Sequence, residues 1–160
     1  YYLTYKAKKI GLDPKVILAG RKTNDQLFKF IFKKIKEICK FKKINRKKLN
    51  ILFLGCTFKE NVSDIRNSQT INLIELMGVN KKNIIHVYEP NINNLVLRSK
   101  IKLIKKLNFD FKYDIIVHTV KHKDFKLLYK IKIYKKLLRK SGFIFDLHGV
   151  FQNNENTFFL

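Results

Sequence analysis

The stretch "ILFLGCTFKENVSDIRNSQT", residues 51–70, opens like the first strand of a dinucleotide-binding fold, with an apolar run that ends in Gly55. Such a strand is normally followed by a second and a third glycine, which let the backbone close on a pyrophosphate. Neither glycine is here. The turn carries Lys59, Asp64 and Arg66 instead, so it offers cationic side chains where a glycine cradle is expected.

Outward from this stretch the chain keeps one rhythm. Short apolar runs recur at 84–88 (IIHVY), 115–117 (IIV) and 143–145 (FIF), and stretches of helical length lie between them at about 68–77, 93–106 and 124–139. Strands alternating with helices predict parallel βαβ units with right-handed crossovers. Runs that are apolar on both faces suit a sheet covered by helices on both sides.

The N-terminal part follows a different period. YYLTYKAKKI suits a first helix, and Gly11 with LDP ends it in a turn. From Thr23 a longer helical pattern begins: Leu27, Ile31, Ile35 and Ile38 form one stripe, Phe28 and Phe32 widen it, and Thr23 or Asn24 is the expected N-cap. A stripe that wide predicts burial on two sides, against its own domain and against another subunit. The expected organisation is therefore a helical segment, 1–45, feeding a Rossmann-like α/β domain, 46–160.

Composition bounds the partners. With 46% apolar residues and 14 Phe among 160 residues, the chain has the material for a full core. Its 35 Lys and Arg against 12 Asp and Glu give a formal charge of +23, which would attract nucleic acid or anionic lipid nonspecifically. The excess is mostly lysine and is spread along the chain, a pattern that fits an AT-rich coding bias at least as well as a binding patch. Cys39 and Cys56 make neither a disulfide framework nor a metal quartet. No metal site is expected, because no carboxylate or histidine cluster has ligand spacing. Without a signal peptide or a membrane-length apolar run, the expected location is the cytoplasm. The chain opens on Tyr1 rather than Met, and further sequence is expected upstream.

In a doubly wound sheet, ligands sit beyond the carboxyl ends of the strands, which is where Lys59 and Arg66 fall. Amides at the start of the next helix favour anions, and Ser68 is positioned to cap it. The predicted site therefore holds phosphate or pyrophosphate. The plain alternative is a solvated Lys59 and an Arg66 paired to Asp64. Cys56 and Cys39 read as core residues, while His86 and His118 read as satisfied groups of the strands.

The segment LGCTFKENVSDIRNSQTINLIELM, 54–77, resembles the signature of the C-terminal domain of the UDP-glucose/GDP-mannose dehydrogenase family. The resemblance extends to residues 1–25, HVYEPNIN (86–93), YDIIVHTVKHKDF (113–125) and GFIFDLHGVF (142–151), in order along nearly the whole chain. It implies an oxidoreductase that uses NAD to convert the C6 hydroxyl of a nucleotide sugar to a carboxylate for polysaccharide biosynthesis. It also implies an N-terminal NAD domain, a central dimerisation helix near 23–42 giving a homodimer, and a C-terminal Rossmann-like domain for the nucleotide. The forms YYLTYKA and FKEN look most like enzymes acting on UDP-N-acetylhexosamines. In such enzymes a cysteine thiolate attacks the intermediate aldehyde, and its match is expected upstream of Tyr1, so that this chain alone would be inactive.

Residue by residue, the resemblance implies that Lys59 contacts the nucleotide sugar and that Arg66 reaches NAD held by the other domain. Arg21 is assigned to the substrate or subunit boundary, and His148 to a position where relatives touch substrate with a basic residue. His122 matches a family histidine, for which a local hydrogen-bonding role is expected. Two other classes remain open at this point: a basic module for nucleic acid or another polyanion, and a decayed remnant of a dehydrogenase.

Overall fold

A computed structural model describes residues 2–95, 101–151 and 155–160. Two helices come first, α1 (Tyr2–Lys9) and α2 (Lys15–Phe41), joined by a turn in which Gly11 has φ +79°. Helix α2 begins well before the expected start at Thr23. Pro14 sits at its N-cap and accepts the Leu18 N–H at 3.0 Å. Thr23 lies inside the helix, and its hydroxyl donates back to the Ala19 carbonyl at 3.1 Å, the usual local bond of a mid-helix threonine.

Among the described residues six strands follow: β1 (Asn50–Leu54), β2 (Ile84–Tyr88), β3 (Ile101–Ile104), β4 (Tyr113–His118), β5 (Leu138–Asp146) and β6 (Thr157–Phe159). They form one sheet in the order β3-β2-β1-β4-β5-β6, and every neighbouring pair is parallel. All four apolar runs read from the sequence lie in strands. Alternate residues of β1 take opposite faces. Ile51 and Phe53 join Ile31 and Ile35 of α2 and Leu73 and Ile74 of α3 (Gln69–Gly78), while Leu52 and Leu54 join Phe125, Tyr134 and Leu137 on the other side.

Two expected helices do not form as read. Of the stretch 93–106, residues 96–100 lie outside the described residues and Ile101–Ile104 is strand β3, paired to β2. The run IKLI satisfies period two as well as period 3.6, and the open edge of β2 decides between them. The stretch 124–139 folds as a 3₁₀ turn (Lys123–Phe125), a short helix α4 (Ile131–Tyr134) and a second 3₁₀ turn (Lys135–Leu137), before β5 begins at Leu138. Phe125, Leu128, Tyr134 and Leu137 are buried there, so this stretch covers the sheet without a long helix. No helix among the described residues is long and apolar enough to cross a membrane.

Candidate functional site

The chain leaves β1 toward β2 on one side and reaches β4 on the other, so the strand order reverses between β1 and β4. In such sheets ligands bind in the crevice at that point. A cleft of about 610 Å³ lies there, lined by Asn24 of α2, the turn 57–60, the start of α3, and Thr119 and His148 beyond β4 and β5. Gly55, which opens the turn, has φ +89°, and a Cβ on it would stand 2.5 Å from the Val120 Cβ. The one glycine of the turn thus serves the close crossing of two loops.

Lys59 stands exposed on the cleft rim. Its backbone is pinned from inside, because the Thr57 hydroxyl donates to the Lys59 carbonyl at 2.8 Å and the Phe58 N–H donates to the Asp64 carbonyl at 2.7 Å. Its ammonium lies 5.7 Å from the centroid of the exposed Phe58 ring. Ser68 occupies the N-cap of α3 but makes no side-chain cap bond, contrary to the expectation; its hydroxyl instead meets the Thr57 carbonyl at 3.5 Å. The first turn of α3 carries no acidic residue, so its amides can receive an anion from the cleft.

The other predicted residues are distributed around this point. His148 lines the cleft with Lys59; its backbone N–H donates to Asp146 at 3.0 Å, and its Nε2 lies 3.0 Å from the Thr119 carbonyl. Arg66 stands outside the cleft lining, 85% exposed, with Nε and Nη2 forked on Asp64 at 2.9 and 2.8 Å. Hydrogen bonds from Arg66 pull the Asp64 carboxyl down to about 2. Arg21 lines a neighbouring groove of about 580 Å³ and donates to the Thr4 hydroxyl at 3.5 Å. The structure brings Lys59 and His148 together, puts Arg21 next door and turns Arg66 outward.

Beneath the rim lies a buried layer around Glu89, a residue that the sequence reading did not single out, and His122, for which it expected a local hydrogen-bonding role. Glu89, at the end of β2, is fully buried and accepts from the Cys56 N–H at 2.9 Å, from the Asn91 N–H at 2.9 Å and from His122 Nε2 at 3.0 Å. Burial would raise its pKa, but these hydrogen bonds outweigh it and hold the carboxyl below its usual range. An acid after the second strand is where a dinucleotide fold binds ribose; here that acid is used up inside the protein. Its signal in the sequence was YEP, an acidic residue directly after an apolar run.

A second buried pair joins His118 Nδ1 to Asp146 at 2.7 Å, and the Phe151 N–H donates to the same carboxylate at 2.8 Å. His86 meets the Tyr113 hydroxyl at 2.7 Å. Both histidines are satisfied by partners of the sheet, as expected. Burial, with Glu89 adding to it, pushes the Cys56 thiol up to about 12, and burial raises Cys39 to about 11. Neither is a ready thiolate. Among the described residues no group of three or more His, Cys, Asp or Glu side chains is arranged to hold a metal ion.

A parallel sheet in this order, with a cleft at its switch point, defines a doubly wound α/β domain, a fold whose ligands sit in that crevice. Comparison with known proteins narrows the class. Residues 52–153 match the UDP-glucose/GDP-mannose dehydrogenase family, UDP binding domain. Protein CapL of Staphylococcus aureus is 34% identical over 97% of this chain and 36% of its own length. A UDP-N-acetyl-D-glucosamine 6-dehydrogenase of Salmonella typhi is 33% identical over 79% of this chain and 30% of its own length. Among solved structures, the NDP-N-acetyl-D-galactosaminuronic acid dehydrogenase from Methanosarcina mazei superposes with a TM-score of 0.76 at 18% identity, over 99% of this chain and 35% of that one; at that identity the likeness is one of fold. The chain belongs to the UDP-glucose/GDP-mannose dehydrogenase family and corresponds to its UDP-binding domain. It spans about a third of the length of these two curated relatives.

Proposed function

We propose that this chain is the nucleotide-sugar-binding part of an NAD-dependent UDP-sugar 6-dehydrogenase, which oxidises the sugar C6 hydroxyl to a carboxylate for polysaccharide biosynthesis. The relatives' names favour a UDP-N-acetylhexosamine as substrate, with UDP-glucose as the neighbouring choice. The observation that carries this proposal is the switch-point cleft, whose rim turn, with Lys59 beside Glu60, falls within the segment that matches the UDP-binding family. The uridine diphosphate occupies the cleft, with Lys59 and the free amides of α3 neutralising the pyrophosphate. His148 lines the substrate side, and Arg21 serves the boundary of the groove beside it.

NAD supplies the hydride acceptor when bound. The residues of this switch point do not suit it as a dinucleotide cradle, since Gly55 is committed to Val120 and Glu89 to His122. Arg66 is the residue here suited to it, an outward guanidinium that can exchange Asp64 for a phosphate presented by another domain. The nucleophile belongs outside residues 1–160, given the raised pKa values of Cys39 and Cys56. We place the enzyme in the cytoplasm as a homodimer paired through α2, whose Leu27 and Phe30 remain exposed beside the face that packs on the sheet.

Calorimetric titration of UDP and of duplex DNA into the chain, with and without Lys59→Ala over a salt series, tests this assignment. The expected result is UDP binding that weakens on the order of tenfold or more in Lys59→Ala, the loss of one charge-assisted contact. DNA binding, if seen, should fall steeply with salt and ignore that substitution. Tight DNA binding at moderate salt with no UDP binding would favour the polyanion reading suggested by the +23 charge.

A further inference from the structure

We propose that His122 is a positioning residue: its neutral ring latches the turn that carries Lys59 onto the end of β2, and so sets where the ammonium meets the nucleotide. The ligand in this proposal rests on the UDP-binding reading; the latch itself rests on geometry.

The ring is fully buried and touches the turn from below. The Asn61 backbone N–H donates to His122 Nδ1 at 2.9 Å, and the Asn91 side-chain amide lies 3.1 Å from the same nitrogen. A backbone N–H can only donate, so Nδ1 is bare and the ring proton sits on Nε2. There it faces two acceptors, Glu89 Oε2 at 3.0 Å and Thr57 Oγ1 at 3.2 Å. The Thr57 hydroxyl has spent its own hydrogen on the Lys59 carbonyl. One ring therefore grips the turn at Thr57 and at Asn61, on either side of Lys59.

Two further features belong to the same turn. Asn61 has φ +56°, in the left-handed region that asparagine tolerates better than most non-glycine residues. Its side-chain oxygen accepts the N–H of Lys123 at 2.9 Å, closing a ring of bonds back to the residue after His122. Lys59 itself is exposed, so the backbone of the turn decides where its side chain starts. A second protonation of His122 would put two N–H groups face to face at Asn61, so the latch requires the neutral ring.

Substitutions can separate the two halves of the imidazole. The oxygen of an asparagine side chain falls near the position of Nδ1, and the nitrogen of a glutamine side chain reaches that of Nε2. His122→Asn therefore keeps the acceptor for Asn61, whereas His122→Gln keeps the donor for Glu89 and loses that acceptor. Amide exchange at Asn61, read against Leu52 and Phe53 of β1, and UDP titration are measured for the wild type and both variants. We expect His122→Gln to expose the Asn61 amide and weaken UDP binding about tenfold, the scale of one unmet buried hydrogen bond. We expect His122→Asn to restore Asn61 protection and most of the affinity. Equal losses in the two variants, or no change in either, overturn the latch.

If neither variant folds, nitrogen NMR of the wild-type ring decides. A bare Nδ1 with a proton on Nε2 supports the latch, and a proton on Nδ1 overturns it. A wild-type chain that fails to bind UDP defeats the functional reading alone, because Asn61 exchange still tests the latch.

Discussion

Two acid–base pairs stand at the same end of the sheet with nearly equal contacts. Asp64 and Arg66 meet at 2.8 Å in solvent, whereas Glu89 and His122 meet at 3.0 Å with both side chains fully buried. Contact length does not tell them apart; water does. An exposed pair gains little because each partner is already well solvated, so Asp64 can give up Arg66 to another anion at small cost. A sealed acid has no such alternative, and every donor aimed at it depends on it. The first pair suits contact with a ligand, and the second holds the frame.

Removing the buried acid is the hardest test of this contrast. Glu89→Ala leaves the N–H groups of Cys56 and Asn91 without their acceptor and the His122 ring with Thr57 alone. The expected cost is about 2–6 kcal/mol, from two unmet buried donors at about 1–3 kcal/mol each, a large share of a domain's total of roughly 5–15 kcal/mol. Urea unfolding reads it directly, and a loss below about 1 kcal/mol would put Glu89 among surface pairs.

Acid should act next, and in order. Burial holds His118 below the ordinary histidine value despite Asp146 beside it. The unfolded chain therefore takes up a proton below about pH 6.5 that the folded chain refuses, and stability present above that pH declines as pH falls. Glu89 and Asp146 have lowered values because their hydrogen bonds outweigh burial. They add a second decline below about pH 4, where the unfolded carboxylates protonate first. Urea midpoints at neutral, mildly acidic and acidic pH would show both steps; a midpoint that stays flat down to pH 4 removes His118 from the account. The smallest effect belongs to Asp64→Ala, for which an unchanged melting temperature is expected. A drop comparable to that of Glu89→Ala would erase the distinction between the two pairs.

The legible and the illegible parts of this molecule divide along the same line. Apolar runs are local signals, and the strands β1, β2, β4 and β5 could be read from them, as could the cationic turn at Lys59. The strand β3 could not, since IKLI serves either period and its partner is β2, distant in sequence. The early start of α2 was hidden because Pro14 acts as its N-cap while Thr23 looked the better one. Glu89 was passed over because a carboxylate after a strand looks exposed until three donors are seen closing on it. Local chemistry showed which residues could meet a ligand, and long-range packing determined which residues support them.

The all-parallel ladder has a consequence for how the chain is made. No strand among the described residues can zip onto its sequence neighbour through a tight hairpin, and Ile51 pairs with Ile115, beyond β2 and β3 in the chain. During synthesis the apolar run of β1 therefore leaves the ribosome long before the strand that completes its place at the centre of the sheet. Closing such distant contacts is slow, and the interval exposes ILFL to whatever else is sticky nearby. Nascent-chain chaperones should engage this chain between the emergence of β1 and that of β4, and release it once the two have met.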